Sequence, residues 1–470
     1  MFVHYLQYMY IERIYTGCLS EAAYYIESGG EAAIVDPMRE PQPYLELAAR
    51  RGATIRYVFE THFHADFVSG HIDIARQTGA SIVFGPGANA DYDIYVGTHG
   101  EEFQLGVVSI KLLHTPGHTL ESSCFLLMDE RHNPHSVFTG DTLFVGDVGR
   151  PDLAVNSEFN REQLAGILYD SIESKLKTLP NYVVVFPGHG AGSACGKSIS
   201  SDSHSTIGIQ KETNYALKAK SKEEFIKLVT DGLAVPPGYF FMDAVINRKG
   251  YDPFDQVMQN AHLPLTVDQI KLAIINTNTY IIDTRSVASF VKGYIPGSIF
   301  IGLEGNFAPI AGTLLDPKSR LILVAENGQE KEAITRLVRI GYENIIGFLD
   351  GGFNVWHKSG EEFETIDTIT AEKFEEQFRF SSCTAIDVRN PDEWVPGFVS
   401  GARLISLQDL ESHMNEIDQQ KPCFVYCAGG YRSMIATSLL KRRGFKNVVN
   451  VLGGMKRIRQ TPISIRQLST

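Results

Sequence analysis

The sequence predicts an α/β protein assembled from several layered domains. Three observations carry that reading. In the first half, short apolar runs alternate with helical patterns across Gly-, Pro- and Asp-rich turns. At 470 residues the chain is too long for one core, and about three domains are expected at roughly 150 residues each. In the second half one stretch occurs twice, at a spacing of 104 residues.

Taken in order, "MYIERIYTGCLSEAAYYI" from Met9 reads as a first strand, so residues 1–8 are expected to be an upstream extension adding little to the fold. The strands "AAIVD", "RYVFET", "SIVFG", "VVSIKLLH", "SVFTGD" and "NYVVVFPG" follow. Helical patterns fall between them, notably "PYLELAARRG" and "FNREQLAGILYDSIESKLKTLP", each closed by Gly or Pro. Residues 221–261, with "AVPPGY", read as a helical tail and linker. Beyond it "YIIDTRSVASFVKGYIPGSI" (280–299) is answered by "TAIDVRNPDEWVPGFVSGAR" (384–403), and "LDGG" (349–352) by "VLGG" (451–454). Tandem copies of one domain are the economical explanation, too few for a solenoid. The expected domains are 1–258, 259–364 and 365–470.

Composition narrows the function. A net charge of −12 and the absence of a basic cluster argue against nucleic acid and favour a small-molecule substrate. No run of 18 apolar residues suggests a membrane span, and the N-terminus lacks the layout of a secretory signal. The six cysteines are scattered, without a CxxC pair. A disulfide framework and a zinc ribbon are therefore not expected, and a reducing cytoplasm is.

Six residues end strand-like runs: His62, His64 and Asp66 in "THFHADF", His118 in "HTPGHT", Asp141 in "FTGDT" and His189 in "FPGHG". Strand ends can gather distant side chains at one rim. Neutral imidazoles with hard carboxylates suit Zn, Mn or Fe in the +2 state. These motifs resemble the metallo-β-lactamase superfamily, whose αββα sandwich holds metals at the sheet edge. Hydrolytic members carry HxHxDH and two metals, whereas here Phe67 stands in place of the last histidine. Two-metal hydrolysis needs a hydroxide between the ions. One ion on His62, His118 and Asp141 instead has the 2-His-1-carboxylate face of non-haem Fe(II) oxygenases. With "GCLSEAAYYI" and "DVGRPDLA", residues 9–250 resemble the persulfide dioxygenases, relatives of glyoxalase II that oxidise a persulfide, RSSH, to sulfite and thiol. The resemblance implies one Fe(II) per chain, with His64, Asp66 and His189 as hydrogen-bonding neighbours of the ligands. Arg150, in "DVGRPD", is a candidate for positioning anionic groups of a thiol carrier. Cys195, in "GAGSACGKS", is a candidate to hold or receive sulfur at the metal rim.

A second chemical stretch is "FVYCAGGYRS" (424–433), where Cys427 follows a strand and precedes a helical pattern. Backbone N–H groups, the helix N-terminus and Arg432 would together favour a thiolate. The spacing CxxGxRS, with "DVR" upstream, resembles the rhodanese sulfurtransferases; Phe398 departs from a frequent histidine. The resemblance implies Cys427 as sulfur carrier, Arg432 as its catalytic partner, and Gly430 and Ser433 as substrate contacts. The first copy reads "LILVAENGQEKEA" (321–333), with neither the cysteine nor the arginine, and is expected to be an inactive spacer or docking surface.

The expected whole is an αββα sandwich followed by two tandem α/β rhodanese domains. It would couple persulfide oxidation by O₂ to sulfur transfer with sulfite or thiosulfate, in sulfide detoxification, as a homo-oligomer. A glyoxalase II-like zinc hydrolase of thioesters and a non-enzymatic sulfur relay are the rival expectations.

Overall fold

In the computed structural model the described residues are 2–6, 9–155, 157–275, 278–380 and 383–468. They form two compact units, Met1–Val257 with Val338–Gly341, and Met258–Leu337 with Tyr342–Thr470.

The first unit contains two sheets. One has seven strands in chain order: Phe2–Leu6, Met9–Thr16, Glu21–Ser28, Glu31–Val35, Thr54–Phe59, Ser81–Phe84 and Tyr95–Val96. The other has six, ordered Ser205–Thr206, Val184–Pro187, Pro134–Gly140, Ser123–Met128, Val108–His114 and Glu102–Leu105. Alternation decides which residue faces which layer. Along Glu21–Ser28, Ala22, Tyr24 and Ile26 join Phe59, Phe125, Phe138 and Phe186 in the core between the sheets. Ala23 and Tyr25 point the other way, to Tyr44, Leu47 and Ala48 of helix Gln42–Arg51. On the far side, Leu126, Val137 and Val185 meet Ala165 and Leu168 of helix Arg161–Ser171. That helix starts at a capping box, where Asn160 and Gln163 each bond the other's backbone N–H at 2.8 Å. The result is the expected αββα sandwich.

Two local expectations need correction. Residues 2–6 are part of the sheet, pairing antiparallel with Met9–Arg13 as its edge strand; residues 1, 7 and 8 lie outside the described residues. The single first strand read from Met9 is two strands, since a turn at residues 17–20 folds the chain back. In that turn Leu19 N–H bonds the Thr16 carbonyl at 3.2 Å, and Ser20 takes φ 56°.

The second unit repeats one topology. A five-stranded sheet ordered Pro264–Leu265, Ile345–Leu349, Arg320–Val324, Thr279–Asp283 and Ile299–Phe300 is matched by Asp367–Ile369, Val448–Val451, Cys423–Tyr426, Thr384–Asp387 and Arg403–Leu404. The pairings in both sheets are parallel, which requires the intervening helical crossovers. The repeated "DxR" is a built fork. Arg285 reaches the Asp283 carboxylate with Nε at 2.9 Å and Nη2 at 2.6 Å, then the Gly293 carbonyl at 2.8 Å. Arg389 makes the same contacts with Asp387 at 2.9 and 2.6 Å, and with Gly397 at 2.9 Å. Such bidentate pairs fix direction as well as proximity. Among the described residues no helix is long and apolar enough to cross a membrane.

Phe138 is fully buried, its ring 5.0 Å from Tyr24 and 5.4 Å from Phe186. Phe138→Ala is expected to destabilise the sandwich by about 3–5 kcal/mol, measured as a lowered urea midpoint. A change within error would show that the two sheets do not depend on this ring.

Candidate metal centre and reactive cysteine

The chain delivers its donors just past the ends of strands from both sheets of the sandwich. His62 follows Thr54–Phe59, His118 follows Val108–His114, Asp141 directly follows Pro134–Gly140, and His189 follows Val184–Pro187. At Gly140 (φ +47°) a Cβ would lie 2.2 Å from Thr61 Oγ1. Only glycine lets the strand bearing Asp141 approach the turn bearing His62.

One ligand atom each from His62, His118 and Asp141 lies within 4.8 Å of the others, all buried. Their orientation is set by partners behind them. Thr61 Oγ1 donates to Asp36 Oδ2 at 2.9 Å, so its lone pair receives the Nδ1–H of His62 at 3.0 Å. His118 Nδ1 lies 2.8 Å from the Arg150 carbonyl, which can only accept. Each ring therefore carries its proton on Nδ1 and presents an Nε2 lone pair. His118 Nε2 and both Asp141 oxygens are buried without a hydrogen-bond partner. Buried polar atoms of this kind, converging on one point, are a donor set for a cation. Burial holds the His62 pKa well below its usual value, and the neighbouring His64, His118 and His189 push in the same direction. A neutral ring is the form that ligates.

His64 is directed elsewhere. Its Nε2 lies 3.1 Å from Asp36 Oδ1 and 3.5 Å from Glu60 Oε2, close enough for charge pairing though not aligned as hydrogen bonds. Burial alone would lower its pKa, but Asp36, Glu60 and Asp66 outweigh it and raise the value to about 9. The ring of Phe67, fully buried, packs 4.3 Å from that of His64. Asn247 holds this turn from behind, its amide donating to the carbonyls of His64 at 2.8 Å and Phe67 at 2.7 Å.

Asp66 and His189 are brought together with Cys195, again with one donor atom each within 4.8 Å. His189 donates Nδ1–H toward the Ser20 carbonyl at 3.3 Å, leaving Nε2 at 3.4 Å from both Asp66 and Asp141. Burial pushes the Cys195 thiol up, and the Asp66 and Asp141 carboxylates push it further. Arg150 departs from its expected role. Its guanidinium is buried and spent on Asp152 at 2.6 and 2.8 Å and on the carbonyls of Ala194 and Ala234 at 3.1 and 2.6 Å. Its backbone N–H also bonds the Cys195 carbonyl at 3.0 Å. Arg150 thus ties the Cys195 loop to the turn that orients His118, and offers little to a substrate anion.

In the second unit, Cys427 directly follows strand Cys423–Tyr426, and helix Tyr431–Arg442 begins four residues later. Gly430 N–H points at Cys427 Sγ at 3.1 Å, and Ser433 Oγ lies 3.6 Å from it. Gly454, at φ +51°, admits this close loop, since a Cβ there would lie 2.2 Å from the Cys427 carbonyl oxygen. Arg432 is held bidentately by Glu393 at 2.6 and 2.8 Å. At the same strand end the first copy has Ala325.

Asp36, Glu60, Thr61, Asn247 and Glu393 were not singled out in the sequence. Only Asp36 carried a signal, because "AAIVD" also ends a strand on a carboxylate. The others sit where only the folded chain shows what they touch.

A family model described as Metallo-beta-lactamase superfamily matches residues 16–189, and one described as Rhodanese-like domain matches 266–359 and 370–461. The chain is 32% identical over 166 residues to a probable hydroxyacylglutathione hydrolase of Schizosaccharomyces pombe, covering 35% of this chain and 60% of that relative's length. It is 30% identical over 209 residues to the mitochondrial persulfide dioxygenase ETHE1 of Mus musculus, covering 44% of this chain and 73% of the relative. A solved structure of a metallo-beta-lactamase from Staphylococcus aureus subsp. aureus COL is similar with a TM-score of 0.64 at 33% identity, over 73% of this chain and 99% of that one.

Thr61→Val removes the hydroxyl that receives the His62 proton. It is expected to weaken divalent-metal binding about 10–100-fold, read by competition with a chromogenic chelator, as for other partners behind metal-bound histidines. Unchanged affinity would show that His62 needs no such orientation. A second expectation concerns pH in the metal-free protein. The folded His64 pKa near 9 lies above the unfolded value near 6.5, so its stabilisation is complete below about 6.5 and lost as pH rises through about 9. Urea midpoints should fall across that window in wild type and hold level in His64→Gln; parallel profiles would remove His64 as the cause.

Proposed function

The chain belongs to the metallo-beta-lactamase superfamily, with two rhodanese-like domains following, and from that premise we propose that it oxidises a low-molecular-weight thiol persulfide and handles the sulfur at Cys427. The carrying observation is the donor set. His62, His118 and Asp141 present converging donors, while His64 is turned to Asp36 and Glu60 and Phe67 occupies the next ligand position. Two imidazoles and one carboxylate suit a single Fe(II), which when bound supplies open positions for a persulfide sulfur and O₂. The reaction balances as RSSH + O₂ + H₂O giving RSH, sulfite and two protons.

The chain's own contribution is geometry and exclusion of water. Thr61 and the Arg150 carbonyl hold the two imidazoles as Nδ1–H tautomers, and burial keeps the His62 ring a neutral donor. Cys427, as thiolate, takes the outer sulfur of a persulfide, with Gly430 N–H directed at its sulfur. Sulfite then removes that sulfur as thiosulfate and restores the thiol. Joining the two activities in one chain pairs a reaction that releases sulfite with one that consumes it.

A hydrolase of the hydroxyacylglutathione type is the second reading, and a specific observation favours it. Asp66, His189 and Cys195 form a second buried donor trio, in which the Cys195 sulfur would stand in for the ligand that Phe67 omits. Two zinc ions per chain, with thioester cleavage that consumes no O₂, would establish the hydrolase and end the oxidative reading.

The deciding assay supplies a defined persulfide aerobically and follows O₂ uptake with the sulfite-to-thiosulfate ratio. His118→Ala is expected to stop O₂ uptake. Cys427→Ser is expected to keep consuming O₂ while product shifts from thiosulfate to sulfite; thiosulfate at the wild-type level would overturn the coupling.

A further inference from the structure

The two copies in the second unit serve as each other's control. Their strand-end loops share one geometry: Gly430 and Gly328 sit at φ +115° and +86°, and Gly453 and Gly351 both at +73°. A Cβ on Gly351 would lie 2.4 Å from Val355 Cγ2, and one on Gly453 would lie 2.4 Å from Arg457 Cγ, so Val355 and Arg457 hold the same place. Arg457 thus lays its stem across Gly453, which lines a cleft together with Gly429 and Gly430 of the Cys427 loop. Its neighbour Lys456 is tied to that loop as well. The Lys456 backbone N–H bonds the Ala428 carbonyl at 3.1 Å, and the Met455 N–H bonds the Cys427 carbonyl at 2.7 Å. Both basic side chains are exposed.

What differs between the copies is charge. None of the chain's 55 acidic residues lies beyond Asp418, while ten of its 43 basic ones do. Several of the ten are engaged: Arg432 with Glu393 at 2.6 and 2.8 Å, Arg443 with Glu411, Lys421 with Asp418 at 3.5 Å, and Arg442 with the Gly297 carbonyl at 2.8 Å. Among the described residues no carboxylate pairs with Lys456 or Arg457. The Arg457 guanidinium bonds the neutral Gln460 at 3.2 Å, and Glu372 lies in its electrostatic range without pairing with it. With Arg432 neutralised, these two side chains bring unpaired positive charge to the Cys427 loop. The Cys-less copy reverses the pattern. It has Asn354 and Val355 at the matching places, and Glu326 and Glu330 where the second copy has Ala428 and Arg432. Its Gly328 N–H, the counterpart of the Gly430 N–H directed at Cys427 Sγ, is taken by Glu330 Oε2 at 2.8 Å. The fold therefore does not require cations at this place; the copy without the thiol is also without them.

We propose that Lys456 and Arg457 are specificity-determining residues of the Cys427 site, recruiting the sulfite dianion as acceptor of the sulfur held there. This rests on the reading of Cys427 as the sulfur-carrying thiol. The Gly430 amide and the N-terminus of helix Tyr431–Arg442 act on what already stands at Sγ, since their influence falls off within the first turn. Exposed cations act farther out, over about 8–10 Å at ordinary ionic strength, and so raise the rate of encounter with a dianion. In the transfer, a sulfite lone pair attacks the outer sulfur of the Cys427 persulfide. A sulfur–sulfur bond forms, the bond from that sulfur to Sγ breaks, and its electron pair stays on Sγ as thiolate. Thiosulfate leaves, the persulfide proton passes to water, and no oxidant or reductant is consumed.

The test uses the full chain without O₂. Cys427 is loaded with sulfur from glutathione persulfide, excess donor is removed, and the gain is checked by intact mass. Sulfur release is then timed with sulfite and with cysteamine, whose reacting zwitterion has no net charge. In the double variant Lys456→Gln, Arg457→Gln, the ratio of the sulfite to the cysteamine rate constant is expected to fall about tenfold at about 20 mM ionic strength. The wild-type ratio should itself fall as salt is raised from about 20 mM to about 500 mM. Lys446→Gln, beyond the far end of helix Tyr431–Arg442, controls for net charge and should move the ratio less than about twofold. A ratio unchanged in the double variant with melting temperature held, or unchanged by salt in wild type, overturns the recruiting role. So does a Lys446→Gln effect as large as that of the double variant. Thiosulfate released in equal amount by Cys427→Ser would instead overturn the reading of Cys427 itself.

Discussion

The Asp36 carboxylate is the constraint on which the metal-binding rim depends. It is buried, sits at φ 50°, and uses both oxygens. Oδ1 accepts the Thr61 N–H at 2.7 Å and lies beside His64, while Oδ2 accepts the Thr61 hydroxyl. Through Thr61 it sets the proton of His62, and through direct pairing it keeps His64 away from the shared donor point. One acid thus decides how many histidines face the centre and in which tautomer. Its strained backbone is tolerable because a strand, a turn and a buried charge all converge on it.

The same economy governs the second unit. In each copy a strand ends at the reactive position, and an aspartate–arginine fork pins the chain beside it. At the strand end the two copies differ in the side chains that would carry chemistry: the first has Ala325 where the second has Cys427, and its following loop lacks an arginine like Arg432. Around Cys427 the backbone supplies a directed amide, the Gly430 N–H at 3.1 Å, and the start of helix Tyr431–Arg442.

Much of this was legible in the sequence. Alternating strands announced the sandwich, and the strand-end histidines and Asp141 stand together because a rigid sheet edge gathers what sequence separates. Cys427 was legible because its loop is local, with strand, small residues and helix in one short stretch. Arg150 misled for the opposite reason. A lone arginine in a glycine-framed turn resembles an anion clamp, and only the fold reveals Asp152 and two carbonyls filling its fork. Residues 2–6 were undervalued because edge pairing depends on the neighbouring strand rather than on their own pattern. The Asp36–Thr61–His62 chain and the amide of Asn247 are tertiary; no spacing announces them.

The twin forks, Asp283–Arg285 and Asp387–Arg389, carry an evolutionary consequence. Because the pins that hold the fold are separate from the residues that do the chemistry, a duplicated domain can lose its nucleophile without losing its shape. Selection on folding and selection on reactivity then act on different positions.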